Sequence, residues 1–181
     1  IVLSALLVAG SLSAQTAEGD RLFASRSEGH DGAHAKAGPI DGAIAAYRKA
    51  ITQNPNDLEA RYKLLMAIRF KGAYVARTND EKKVVYSQGK QAGEEALAVV
   101  DRALRGQGVT SVSKATEQEV AKAAAKVAGA PEVFFWDSVL WGEWALAYGK
   151  MAALREGAAD RIKRETTIAL LVNPRLEDGG P

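Results

Sequence analysis

The stretch Gly38-Pro39-Ile40-Asp41-Gly42-Ala43-Ile44-Ala45-Ala46-Tyr47-Arg48-Lys49-Ala50-Ile51-Thr52-Gln53-Asn54-Pro55 decides the fold class. Ala43, Tyr47 and Ala50 follow one another at steps of four and three, which puts them on one face of a helix. The two alanines let a neighbouring helix approach closely, and the tyrosine fills the gap between turns. Pro55 ends the segment because it cannot continue the hydrogen-bond ladder. Directly after it, Asp57 is placed as an N-cap for a second helix, Leu58-Glu59-Ala60-Arg61-Tyr62-Lys63-Leu64-Leu65-Met66-Ala67-Ile68-Arg69-Phe70-Lys71, with Gly72 as its stop. So short a connection makes the two helices antiparallel neighbours.

Here the chain resembles the tetratricopeptide-repeat (TPR) family, whose helix pairs recur about every 34 residues. Gly38 and Gly72 stand one such period apart, each expected in the turn between the two helices of a repeat, and Ala43, Tyr47, Ala50 and Pro55 match the family pattern for a second helix. The resemblance puts the first repeat at about Ala24 to Asp57, with Ser27 and His30 where the family prefers large apolar side chains. The second repeat starts at Leu58 and has Arg61 where an aromatic is usual. A third match has Gly157 followed by Ile162, Thr166, Ala169 and Pro174 at the offsets seen after Gly38.

Between these matches the pattern is less regular. Asn79-Asp80 is expected to cap a helix running through Val84, Tyr86, Ala92, Ala96, Val100 and Leu104, too long for one repeat helix unless Gly89 or Gly93 breaks it. Gly106 to Ser113 reads as a linker. A helix from about Thr116 to Val127 follows, with Glu119 completing a capping box. Gly129-Ala130-Pro131 then punctuates before a helix expected from Glu132.

That helix carries all three tryptophans and two of the four phenylalanines within Phe134-Phe135-Trp136-Asp137-Ser138-Val139-Leu140-Trp141-Gly142-Glu143-Trp144, and Tyr148 extends it. Two adjacent apolar stripes make it apolar around much of its circumference, which predicts a central core helix. Phe135, Trp136, Trp141, Trp144 and Tyr148 are the candidates to line a groove for an apolar or aromatic ligand. Asp137 and Glu143 fall on different faces, which argues against a paired acid/base site; both are expected solvated or ion-paired.

The remaining composition narrows the function. With 181 residues the chain can bury a proper core, and 24 basic against 22 acidic residues leave a net charge of +2 with no basic block, so nucleic acid is not an expected partner. No cysteine occurs, which excludes disulfides and thiol chemistry. His30 and His34 are four apart in a glycine-rich stretch without a third ligand fixed by spacing, and read as a polar loop with no metal. Gly106-Gln107-Gly108 lacks the setting of a phosphate loop. No nucleophile, base and orienter can be assembled, so neither catalysis nor a cofactor is expected.

Ile1 to Leu12 form an apolar run closing on Ser11-Leu12-Ser13-Ala14-Gln15, which reads as the end of a signal peptide. A dozen residues is short of the roughly 20 of a membrane span, so an integral membrane protein is not expected. The sequence therefore divides into a leader remnant, 1–14, and one helical domain, 15–181. The leader, the helix pairs, the aromatic helix and the closing Asn173-Pro174-Arg175-Leu176-Glu177-Asp178-Gly179-Gly180 together resemble the T component of tripartite ATP-independent periplasmic (TRAP) transporters. That resemblance implies an all-α protein of antiparallel helix hairpins in a TPR-like right-handed solenoid around the aromatic helix, exported to the periplasm or the outer side of the inner membrane. It implies a protein partner such as a periplasmic substrate-binding subunit, a sheltered hydrophobic small molecule as the alternative, and self-association as a further option. Relatives continue beyond Gly179-Gly180, which implies a C-terminal cap past Pro181.

Overall fold

The computed structural model describes the backbone of residues 3–176 and the side chains of residues 14–176. The protein is all-α, with eight α-helices and one π-helical turn among the described residues: α1 (Leu3–Ala24), α2 (Ala37–Gln53), α3 (Leu58–Phe70) continued by the π turn Lys71–Val75, α4 (Asn79–Arg105), α5 (Glu117–Ala124), α6 (Ala130–Tyr148), α7 (Lys150–Arg155) and α8 (Ala158–Val172). None is long and apolar enough to cross a membrane, among the described residues. The leader assigned to 1–14 coincides with the first part of α1, whose side chains lie outside the described residues, as does the Gly179-Gly180 ending.

Helices α1 to α4 pack each on the next, and α6 then seats against α3 and α4 with α8 on its far side. Tyr47 of α2 is fully buried against Gly19 of α1, where any β-carbon would lie 2.4 Å from the ring. Its hydroxyl donates to Asp20 Oδ1 at 2.8 Å, while Lys63 of α3 donates to Asp20 Oδ2 at 2.7 Å, so one carboxylate ties three helices. Ile40, Ala43 and Ala50 are buried beside Tyr47, and Pro55 follows the C-cap Asn54 as the spacing predicts. Asp57 caps α3 by accepting from the Ala60 amide at 2.9 Å.

Several local expectations are corrected. The helix before α2 does not start near Ala24; it ends there, and residues 25–36 form a loop because Gly29 and Gly32 adopt left-handed backbone at φ 68° and 59°. Gly38 lies in the first turn of α2 rather than between helices, and Gly72 lies inside the π turn, where its missing side chain admits the Tyr86 ring. Thr78, not Asn79-Asp80, caps α4, in a reciprocal box with Glu81. Neither Gly89 nor Gly93 breaks α4. Both let it approach α6: a β-carbon on Gly89 would meet Leu140 at 2.7 Å, and one on Gly93 would meet Asp137. Gly149, at φ 88°, ends α6 and starts the short α7, which the sequence pattern did not mark. The capping box at Thr116 and Glu119 forms, and Gly157 opens α8, as expected.

Candidate functional site

Helix α6 starts at Gly129-Ala130-Pro131, two residues before Glu132, and is buried on most sides, as its sequence demands. Gly129, at φ 84°, lies so near the start of α3 that a β-carbon would reach Leu58 at 2.9 Å. Three of the candidate aromatics form a ladder along the side facing α4. Trp141 and Trp144 meet edge to face at 5.7 Å, and Trp144 stacks on Tyr148 at 4.7 Å. The faces of this ladder are occupied by the protein's own cations. Lys90 Nζ sits 4.3 Å from the Trp141 centroid and 4.5 Å from that of Trp144, and is fixed by Glu156 at 2.7 Å. The Arg161 guanidinium lies 4.5 Å from the Trp141 ring, and Ser87 shares a hydrogen bond with the Tyr148 hydroxyl at 2.9 Å. Cations over indole faces add attraction beyond area burial. Trp141 and Trp144 are thereby sealed between α4 and α8, with only Tyr148 reaching solvent, and Phe135 is buried in the core.

Beneath the ladder is an ionisable cluster that the sequence did not disclose. Asp137 has 0% exposure. Arg161 of α8 donates to its Oδ2 from Nε at 3.2 Å and from Nη2 at 2.9 Å, and also to Glu165 Oε1 at 3.0 Å. Of the two expected alternatives, solvated or ion-paired, Asp137 takes the second, and so does Glu143, which pairs with Arg69 at 3.1 Å. One guanidinium cannot neutralise two buried carboxylates. Burial first, and the Asp137 charge second, push the Glu165 carboxyl up to about 10, so Glu165 keeps its proton at neutral pH. Burial also raises Asp137. The proton that Glu165 keeps is shared with Asp137, while Asp137 Oδ1, turned towards Gly93 of α4, and Glu165 Oε2 are buried without a partner. The pair has a structural duty: it locks α8 to α6, with Ser138 and Thr166 sharing a second hydrogen bond at 3.1 Å.

Trp136 points the other way. It forms one wall of a cleft of about 550 Å³ between α3 with its π turn and the loop 25–36. Phe23 and Phe70 meet edge to face at 6.3 Å, and Phe70 leans on Tyr74 at 4.8 Å, so the cleft is aromatic on two sides. The Arg26 guanidinium lies 4.1 Å from the Phe23 ring and 5.4 Å from that of Phe70. The loop is pinned over the cleft by the Ala35 amide donating to the Tyr74 carbonyl at 2.9 Å and by Arg77 pairing with Asp31 at 2.8 Å. Trp136 Nε1 and His34 Nδ1 are buried without a hydrogen-bond partner. Arg26, Arg69, His30 and His34 line the cleft, and no carboxylate does.

Of the five candidates, Trp141, Trp144 and Tyr148 are brought together in the ladder, Phe135 enters the core, and Trp136 alone lines the cleft. Of the other cleft residues, His30 and His34 were weighed only as metal ligands, and Phe23, Arg26, Phe70 and Tyr74 were not read as a site. Phe23 and Arg26, or Phe70 and Tyr74, are close neighbours in sequence, but nothing in the sequence ties the first pair to the second. His30 and His34 do lie in a polar loop, and no group of three metal-type ligands occurs among the described residues. Against known proteins, no family model matches the chain and no curated protein matches it.

Proposed function

We propose that the protein is a TPR-like helical scaffold that works by binding a partner protein rather than by turnover, in the manner of the T component of a TRAP-type transporter meeting its substrate-binding subunit. The observation that carries this reading is the ridge where α6 passes into α7. Leu146 is 82% and Leu154 63% exposed, Met151 is exposed with them, and α7 buries no residue at all. Large apolar side chains left exposed within one short stretch of chain are the kind that interaction surfaces use. Lys150 and Arg155 flank the ridge and make no ion pair among the described residues, so the fitting partner has an apolar groove with an acidic rim. Export and the solenoid arrangement belong to the same proposal, supported by the apolar start of the chain and by the sequential packing of α1 to α4.

The test is a binding titration of the purified chain against a purified TRAP substrate-binding subunit from the same source. A Leu146→Asp, Leu154→Asp double variant is expected to lose at least roughly tenfold in affinity with an unchanged melting temperature, because both side chains are already in water. Equal binding by the double variant would remove the ridge from the interface. Light scattering of the chain alone separates this from self-association through the same ridge.

A second reading, a carrier of a small hydrophobic ligand, is favoured by one feature: Trp136 opens onto an aromatic cleft of a size that suits a small molecule.

A further inference from the structure

Helix α7 has two unlike faces. Ala152 and Ala153 supply its contact with the core, while Met151 and Leu154, three residues apart and so on one face, are 68% and 63% exposed. No residue of α7 is buried, so the Met151 side chain fills no space inside the fold. The chain holds two methionines and no cysteine, which leaves the thioether sulfurs as its readiest targets for a two-electron oxidant. The other methionine, Met66 of α3, is half-buried in the wall of the aromatic cleft. Met151 is therefore the more open of the two sulfurs, and it stands between Leu146 and Leu154 on the stretch that forms the ridge.

We propose that Met151 is an oxidation site that switches partner binding: hydrogen peroxide converts its thioether to the sulfoxide and closes the ridge to an apolar groove. The inference rests on the ridge reading and adds its regulation. In the step, a sulfur lone pair attacks one peroxide oxygen, the S–O bond forms and the O–O bond breaks. The proton of the attacked oxygen goes to the departing hydroxide, which leaves as water, and sulfur gives up the two electrons that reduce the peroxide. A flexible apolar side chain thereby becomes a polar one with a strong hydrogen-bond acceptor. An apolar groove offers that oxygen no donor, so seating it there forfeits the hydrogen bonds it makes to water. The fold itself is untouched, because the side chain is in water before and after oxidation.

The experiment treats the full chain with hydrogen peroxide, removes the peroxide with catalase, and titrates the treated chain against the purified TRAP substrate-binding subunit, with peptide mass mapping to locate the added oxygen. The expected result is that Met151 gains oxygen before Met66, and that affinity falls at least about tenfold as the Met151 sulfoxide accumulates, with the melting temperature unchanged. Met151→Leu, which keeps the apolar surface without the sulfur, binds like the untreated wild type and holds its affinity through the same treatment. A methionine sulfoxide reductase with dithiothreitol, in which the oxygen leaves as water while the dithiol becomes a disulfide, restores the treated wild type. Oxidation of Met66 ahead of Met151, full affinity in a chain whose Met151 is converted, or an equal loss in treated Met151→Leu overturns the switch and leaves the ridge reading standing. No binding of the subunit by the untreated chain overturns the ridge reading and this inference with it.

Discussion

Glu165 is the residue whose environment departs furthest from its chemistry in water. Buried beside Asp137, it keeps its proton to about pH 10, whereas in the unfolded chain it ionises near the ordinary value of 4.5. Across that window the folded state binds a proton that the unfolded state has released, so stability falls as pH rises from about 4.5 towards 10. Glutamine in place of this glutamate has the shape of the protonated acid and can donate to Asp137. We expect Glu165→Gln to remove most of the decline in denaturation midpoint between pH 5 and 9, measured by urea titration. An unchanged decline would show that the pair does not share a proton. Neither Asp137 nor Glu165 announced this in the sequence. They lie on different helices, and a carboxylate becomes unusual only when another chain segment removes its water. The nearest legible signal was Gly93, which admits the Asp137 carboxylate to the α4–α6 contact yet reads in isolation as a helix breaker.

At the scale of elements, short-range signals were legible and long-range ones were not. The Ala43, Tyr47, Ala50 face, the Asp57 cap, the Thr116 box and the Gly157 opening all act within a few residues, and all appear where the spacing put them. The helix paired with α2 was misplaced because Gly29 and Gly32 turn the loop, and because α1 is bound to α2 through Asp20 and Gly19, residues that look unremarkable in sequence. That latch yields a direct expectation. Asp20→Ala leaves the buried Tyr47 hydroxyl without an acceptor and should cost about 1–3 kcal/mol. Amide hydrogen exchange should rise along α1 before α4 or α6 is affected. Uniform acceleration in all helices, or none in α1, would mean that Asp20 is not the tie.

At the scale of the whole molecule, α6 packs against α3, α4, α5, α7 and α8, so its tryptophans report on the centre of the fold. If the helices form one cooperative unit, tryptophan fluorescence and far-ultraviolet circular dichroism should share one urea midpoint. A fluorescence midpoint distinctly above that of the dichroism would instead reveal that α1 and α2 melt first. The ladder also bears on function at this scale. Because Lys90 and Arg161 already cover Trp141 and Trp144, a ligand on those two rings would have to displace the protein's own cations, which leaves Trp136 as the accessible indole.

What the amino-acid sequence determined alone is the all-helical class, those helix ends that carry a local cap or stop, and the central place of the aromatic helix, because propensity, capping and periodicity act over one or two turns. Tertiary structure decided which aromatic rings stay open, which carboxylates lose their water, and which donors are left without partners. Those properties depend on what a distant segment places against a side chain: α4 brings Lys90 to the ladder, α8 brings Arg161 and Glu165 to Asp137, and the loop after α1 sets Arg26 and His34 beside the cleft that Trp136 walls.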